Sequence, residues 1–303
     1  MFYYKAIVTF LLASVAALVQ AAPESSTKTV LARDDGYASI NPVGLTLRSL
    51  DARAPAASLA SQTRSALRAD YPFASRQDAR RTLSPFPLLA ARAVPSTCAT
   101  TILSGIVGLT NSDTGAALGY IEASANTLGE YGVTSDLSSA LRISFGTPAC
   151  ASVASYSELQ ITTSNDLASF TQLGFITGFS NTGTSYNLDS GLDNYAYLGG
   201  VTEDVSVLVI LTLVPQSAVD LPNSFSAATS IPEGVESAVR TWNPSTNALG
   251  VQWINSEGSV APTYLMWASG DNVVVITGDV SVFRSTFGND ARVSLTLVTE
   301  VVS

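Results

Sequence analysis

The sequence predicts an all-β fold, a β-sandwich or jelly-roll-like body made from two duplicated five-strand units, with one short helix near residues 279–287. Three observations carry this expectation. Short runs rich in Val, Ile, Thr and aromatic residues are separated by turn residues throughout the body of the chain. The run 205–214 is apolar except for Ser206 and Thr212; it is too short to cross a bilayer, and its β-branched content favours a strand covered on both faces. The phrase Ser190-Gly191-Leu192-Asp193-Asn194 also returns as Ser269-Gly270-Asp271-Asn272, each copy standing directly before a β-rich run.

In chain order, residues 1–21 read as a secretory signal. Lys5 supplies a minimal positive start, residues 6–19 an apolar core, and Val19-Gln20-Ala21 a small-residue cleavage site ending at Ala21. The end of the chain lacks a polar spacer followed by a long apolar tail, so no lipid-anchor signal and no membrane anchor are expected. Residues 22–95 differ from the rest, with 10 Lys and Arg against 6 acids, while residues 96–303 have 4 Arg, no Lys and 18 acids. Such asymmetry separates the first stretch from the body. Arg80-Arg81 is a dibasic pair and Ala91-Arg92 repeats a small-residue-Arg phrase. Residues 22–95 are therefore expected to be a disordered, Arg-rich pro-region cut after Arg81 or Arg92 by a subtilisin-like processing protease, or else a retained linker.

The body divides into a first β-unit, 96–215, and a second, 216–303, packed with it. Cys98 and Cys150 are the only cysteines, and in an oxidising compartment they are expected to form one disulfide. Strands are expected at 101–109, 117–121, 140–145, 158–163, 172–179, 194–198 and 205–214, and in the second unit at 238–242, 250–255, 262–268, 272–277 and 291–302. Asp279 caps the expected helix, Gly288 closes it, and Val280, Phe283 and Phe287 form one apolar stripe. The two units align: Ser139-Ala140-Leu141-Arg142 answers Ser237-Ala238-Val239-Arg240, Leu159-Gln160-Ile161 answers Val251-Gln252-Trp253, and Asn194 answers Asn272. Packing two such copies face to face covers the apolar face of each.

Missing residue types restrict the chemistry. The chain has no histidine, which excludes Ser-His-Asp and Cys-His catalysis and the usual zinc and copper ligand sets. No lysine follows Lys28, so the body has no amine nucleophile, and its acidity excludes nucleic acid as a partner. No cofactor is expected. Only carboxylates remain for acid–base work, with Glu122, Glu130, Glu158, Asp204, Glu236 and Asp279 as candidates for a facing pair. Asp113-Thr114-Gly115 and Asp189-Ser190-Gly191 match the aspartic-protease triplet, but neither follows an apolar strand, and both read better as turns. Asp189 and Asp193 flank a glycine in a phrase that resembles part of a calcium loop without its closing glutamate.

The three tryptophans, Trp242, Trp253 and Trp267, and Tyr264 all fall in the second unit. Trp242 and Trp253 flank the turn 243–247, so a hairpin is expected to set them side by side; Tyr264 and Trp267 point to opposite faces of a strand. Core filling accounts for most of them, and one or two exposed rings make the candidate binding platform.

Leu118-Gly119-Tyr120-Ile121, Gly129-Glu130-Tyr131-Gly132-Val133, Asn194-Tyr195-Ala196-Tyr197-Leu198-Gly199-Gly200 and Ile276-Thr277-Gly278-Asp279 give the body its likeness to known sequences. On these phrases it resembles a loosely defined set of uncharacterised secreted β-rich proteins of mushroom-type fungi. That resemblance implies class and compartment and no activity. The functional expectation is a secreted, non-catalytic extracellular protein that binds glycan or belongs to a cell surface or cell wall. The alternatives are a carboxylate-dependent polysaccharide hydrolase and a secreted effector or inhibitor that binds a foreign protein.

Overall fold

A computed structural model describes residues 36–50, 99–149, 154–164, 167, 169–182, 186–202, 218–237 and 240–299. The signal peptide with Ala21, the processing residues Arg80, Arg81 and Arg92, the cysteines Cys98 and Cys150, and the apolar run 205–214 lie outside the described residues.

All-β is the observed class. The strands are β1 (Thr100–Asn111), β2 (Ala117–Ile121), β3 (Val133–Thr134), β4 (Arg142–Pro148), β5 (Tyr156–Leu159), β6 (Ile161–Thr163), β7 (Gln172–Thr177), β8 (Tyr195–Val201), β9 (Val235–Glu236), β10 (Arg240–Asn243), β11 (Ala248–Val251), β12 (Tyr264–Ala268), β13 (Val273–Thr277) and β14 (Ala291–Val298). Among the described residues they are joined by two α-helices, α1 (Ser224–Thr229) and α2 (Val280–Phe287), and a short 3-10 turn at Leu137–Ser139. In β14, Val293, Leu295 and Leu297 are buried and alternate with less buried neighbours, the period of a strand with one covered face.

Two facing sheets were expected, but the described strands belong to one. Its order β1-β4-β6-β7-β8-β13-β12-β14 returns to β1 through a β1–β14 ladder running from Ile106↔Val298 to Asn111↔Val293. The result is a closed antiparallel eight-stranded barrel with extra strands attached. Closure pairs the two strands that a sandwich would leave as edges. The expected units also share this sheet, because β5 of the first pairs with β10 of the second and β9 of the second with β7 of the first.

The core has two layers. Val107, Leu109, Ile143, Phe145, Leu173, Phe175, Leu198, Ile276 and Leu295 form one cluster. Strands β7, β8 and β13 also bury their other face, where Ile176, Tyr195, Tyr197, Val273 and Val275 pack with Phe225 of α1 and with Phe283 and Phe287 of α2. Near-continuous apolar strands such as β13 are the pattern a doubly covered sheet requires. Helix α2 forms as expected: the Asp279 side chain accepts from the Ser281 and Val282 amides, and Phe283 and Phe287 are buried. Helix α1 was not foreseen. Its cap is Asn223, whose side chain accepts from the Ser226 amide.

Strands β8 and β13 are neighbours, with Tyr197↔Val275 and Ala196↔Ile276 paired. When Asn194 is aligned with Asn272, Tyr197 and Val275 occupy the same position in the two sequence copies. Strands β4 and β10 likewise begin on the matched arginines Arg142 and Arg240.

Residues 36–50, expected by sequence to lie in a disordered pro-region or linker, instead cross the outer face of the β8–β13 part of the sheet. Ile40 is fully buried in the outer cluster, the Ala38 amide donates to Thr286 C=O of α2 at 2.8 Å, and the Arg48 amide donates to Ala228 C=O of α1 at 2.8 Å. Burying one isoleucine stabilises by about 1.5–3 kcal/mol, which helps hold an otherwise extended segment.

Candidate functional site

The aromatic residues expected to form a platform are dispersed. The β10–β11 hairpin forms, but its register pairs Trp242 with Leu249 and leaves Trp253 beyond the end of β11, so the two rings are not side by side. Trp242 is 8% exposed, stacks on Tyr156 at 5.5 Å and meets Phe145 edge-on at 5.6 Å. Trp253 is fully buried, its indole N–H donating to Tyr186 C=O at 2.9 Å. Trp267, half-buried, donates to Asn272 Oδ1 at 3.1 Å, and the Arg292 guanidinium lies 5.2 Å above the half-buried Tyr264 ring. These rings are core and local packing rather than an exposed platform, because Trp242 and Trp253 are buried and Trp267 and Tyr264 are half-buried, each against a neighbour from a strand, turn or loop.

The candidate carboxylates also separate. Asp204 lies outside the described residues. Asp279 caps α2, and the hydrogen bonds it accepts from the Ser281 hydroxyl at 2.6 Å and the Gly191 amide at 3.0 Å hold its carboxyl well below the usual range. Glu236 is buried and accepts from the Ile254 amide at 3.3 Å. Glu122 lies at the backbone bridge to Ala140. Asp189 Oδ1 accepts from Asn255 Nδ2 at 2.7 Å in a loop-to-loop contact, and among the described residues Asp189 and Asp193 belong to no group of three or more metal-ligating side chains. Asp113 pairs with Arg284 at 3.2 Å beside a turn whose Asp113 and Thr114 amides donate to Asn111 Oδ1.

One cleft does gather polar side chains. It encloses about 400 Å³ and is lined by Ile102 of β1, Ser144, Phe145 and Gly146 of β4, the segment 158–160 with Thr162, and Gln172 of β7. Its wall forms where the chain changes partners, since β5 pairs with β10 and β6 with β4. Glu158 turns at that junction with a left-handed φ of 55°, a conformation that costs a non-glycine residue energy and concentrates at functional positions. Gln160 Nε2 and Gln172 Oε1 are buried without a partner, one an unused donor and the other an unused acceptor. Ile102 is 64% exposed at the mouth, and Phe145 on the wall rests on Trp242. Pockets of this size that combine an apolar wall with a few convergent polar groups are typical ligand sites.

Glu130 forms a second, closed site. It follows Gly129, whose φ of +82° brings its Cα close to Ser224; a Cβ there would lie 2.6 Å from the Ser224 backbone. Glu130 Oε2 accepts from Asn126 Nδ2 at 2.8 Å and from Asn41 Nδ2 at 3.1 Å. Burial pushes its carboxyl up to about 8, against the lowering effect of those two amides. Glu130 Oε1 and Asn41 Oδ1 are both buried and unpartnered. A protonated carboxyl supplies the donor that two leftover acceptors lack. Nearby, the hydroxyls of Tyr195 and Tyr197 both donate to Ile40 C=O, and burial raises both phenols. No sequence pattern links Asn41 to Glu130; the available signal is that residues 34–47 contain no Lys or Arg within an Arg-rich stretch.

Arg240 was also unforeseen as a core residue. Its guanidinium lies 4.3 Å above the Phe175 ring, Nε and Nη2 have no partner, and burial lowers its pKa to about 9. Comparison with known proteins finds no matching family model, no match among curated proteins and no match among solved structures.

Proposed function

We propose that this is a secreted, non-catalytic β-protein, arisen by duplication of a five-strand unit, that binds glycan in the cleft bounded by Glu158, Gln160, Thr162 and Gln172. One observation carries the reading: within a single open cleft, a buried amide donor and a buried amide acceptor stand unused beside an apolar wall. A sugar hydroxyl both donates and accepts, so a pair of neutral amides suits it, and the carbon face of the ring suits Ile102. Glu158 is the only carboxylate among the described residues lining the cleft. Glycoside hydrolysis by two protein carboxyls needs a second about 5–9 Å away, so binding is favoured over cleavage.

The test is retention of the purified protein on polysaccharide and cell-wall preparations, with Gln160→Ala/Gln172→Ala as the variant. Wild type is expected to be retained and the double variant to lose at least tenfold in affinity. Absence of retention on every preparation would sink the binding reading. Release of reducing sugar that Glu158→Gln abolishes would establish the hydrolase instead.

A further inference from the structure

We propose that residues 36–50 are a peptide bound in a dedicated groove on the body, so that scission of the chain at Arg80-Arg81 or after Arg92 leaves a two-chain protein rather than a body stripped of its N-terminal segment. This inference is independent of the glycan cleft, which lies on β1, β4, β5, β6 and β7.

The groove has the features of a built peptide site. Its floor is the outer face of β8 and β13, where Ile40 is fully buried among Tyr195, Tyr197, Phe283 and Phe287. Two tyrosine hydroxyls converge on one backbone carbonyl, that of Ile40, Tyr197 from 2.7 Å, and they accept in turn from the amides of Ser180 and Phe179. Ser180 Oγ donates to Ser39 C=O at 3.1 Å, and Asn41 Nδ2 reaches Glu130 at 3.1 Å. Backbone bonds tie the segment to α2 through Ala38 and to α1 through Arg48. Main-chain bonds hold an extended peptide without regard to sequence, while the Ile40 pocket and the Asn41–Glu130 contact select it. The ligand class is therefore an extended peptide carrying a buried isoleucine followed by asparagine. The occupant is this chain's own segment. Without it, the Tyr195 and Tyr197 hydroxyls, the apolar pocket and the Glu130 carboxyl lose partners that are buried with them.

The experiment uses the full chain with a recognition sequence for a site-specific protease inserted between Arg80 and Arg81. After cutting, size-exclusion chromatography with mass detection is expected to show the N-terminal fragment eluting with the body, and a fluorescent 36–50 peptide in excess to exchange into the complex. Ile40→Asp is expected to lose co-elution. Because a buried aspartate can itself block folding, Asn41→Ala is the second variant, expected to shorten the lifetime of the cut complex at least tenfold with the far-UV spectrum of the uncut chain unchanged. Immediate separation of the wild-type fragment overturns the proposal. So does an uncut chain that elutes as a dimer, because the occupant would then be the segment of a second copy.

Discussion

Asn41 donates to Glu130 at 3.1 Å across 89 residues of sequence, joining the N-terminal segment to a carboxyl that has no access to water. Glu130 has its pKa raised from 4.5 to about 8, chiefly by burial. Between these values the folded chain holds a proton that the unfolded chain has lost, so stability is complete below about 4.5 and falls as the pH rises towards 8. Each unit crossed in that window costs at most about 1.4 kcal/mol. Urea midpoints measured from pH 4.5 to pH 9 are expected to decline for wild type and to flatten for Glu130→Gln, whose amide never ionises. Parallel slopes for the two proteins would show that Glu130 is ionised when folded.

Arg240 places a positive charge in the core, its guanidinium 4.3 Å over the Phe175 ring and its Nε and Nη2 unpartnered. An unpaired buried charge costs more than a ring contact returns. Arg240→Met keeps length and apolar contact without the charge and is expected to stabilise the fold by about 1–4 kcal/mol at neutral pH, read as a raised urea midpoint. Destabilisation would mean that the guanidinium holds a bound anion or water.

Legibility followed the range of the interactions. Local signals located the Asp279 cap, the Phe283–Phe287 stripe and β2 at its observed bounds, because caps and strand alternation are set by residues a few positions apart. The barrel was not readable: closure depends on Leu109 meeting Leu295, and nothing in either strand's own sequence names its partner. The hairpin turn at 243–247 was readable but its register was not, so Trp253 was placed beside Trp242 when Leu249 holds that position. Glu158 was visible as one carboxylate among several; its neighbours Gln160 and Gln172 come together only because β6 lies between β4 and β7. Charge composition misled at residues 36–50, where the arginine count of the wider stretch obscured the run 34–47, which has no Lys or Arg.

The β1–β4 ladder runs to Thr100↔Pro148, beyond which the Ala149 amide donates to Ala99 C=O at 2.8 Å. The sequence next has Cys98 before the one residue and Cys150 after the other. Residues that follow a hydrogen-bonded antiparallel pair are spaced within the Cα range a disulfide spans, about 4.4–6.8 Å. Non-reducing peptide mapping is therefore expected to recover a Cys98–Cys150 cross-link, and reduction to lower the melting temperature. Two alkylated free thiols in the native protein would refute the bridge.

Asn272 ties the β12–β13 turn to β3. Its Oδ1 accepts from the Val133 amide at 3.0 Å and from Trp267 Nε1 at 3.1 Å, and its Nδ2 donates to Val133 C=O at 3.3 Å. Its φ of 48° is left-handed, where asparagine and glycine are tolerated and alanine is strained. Two separable costs follow. Asn272→Gly removes the side-chain bonds alone, at about 1–3 kcal/mol for the partners left unsatisfied. Asn272→Ala removes the same bonds and adds about 1 kcal/mol of backbone strain. Denaturant unfolding is expected to rank wild type above Asn272→Gly and Asn272→Gly above Asn272→Ala. A reversed order of the two variants would mean that the turn relaxes out of the left-handed region once its bonds are gone, because glycine would then cost only its greater freedom in the unfolded chain.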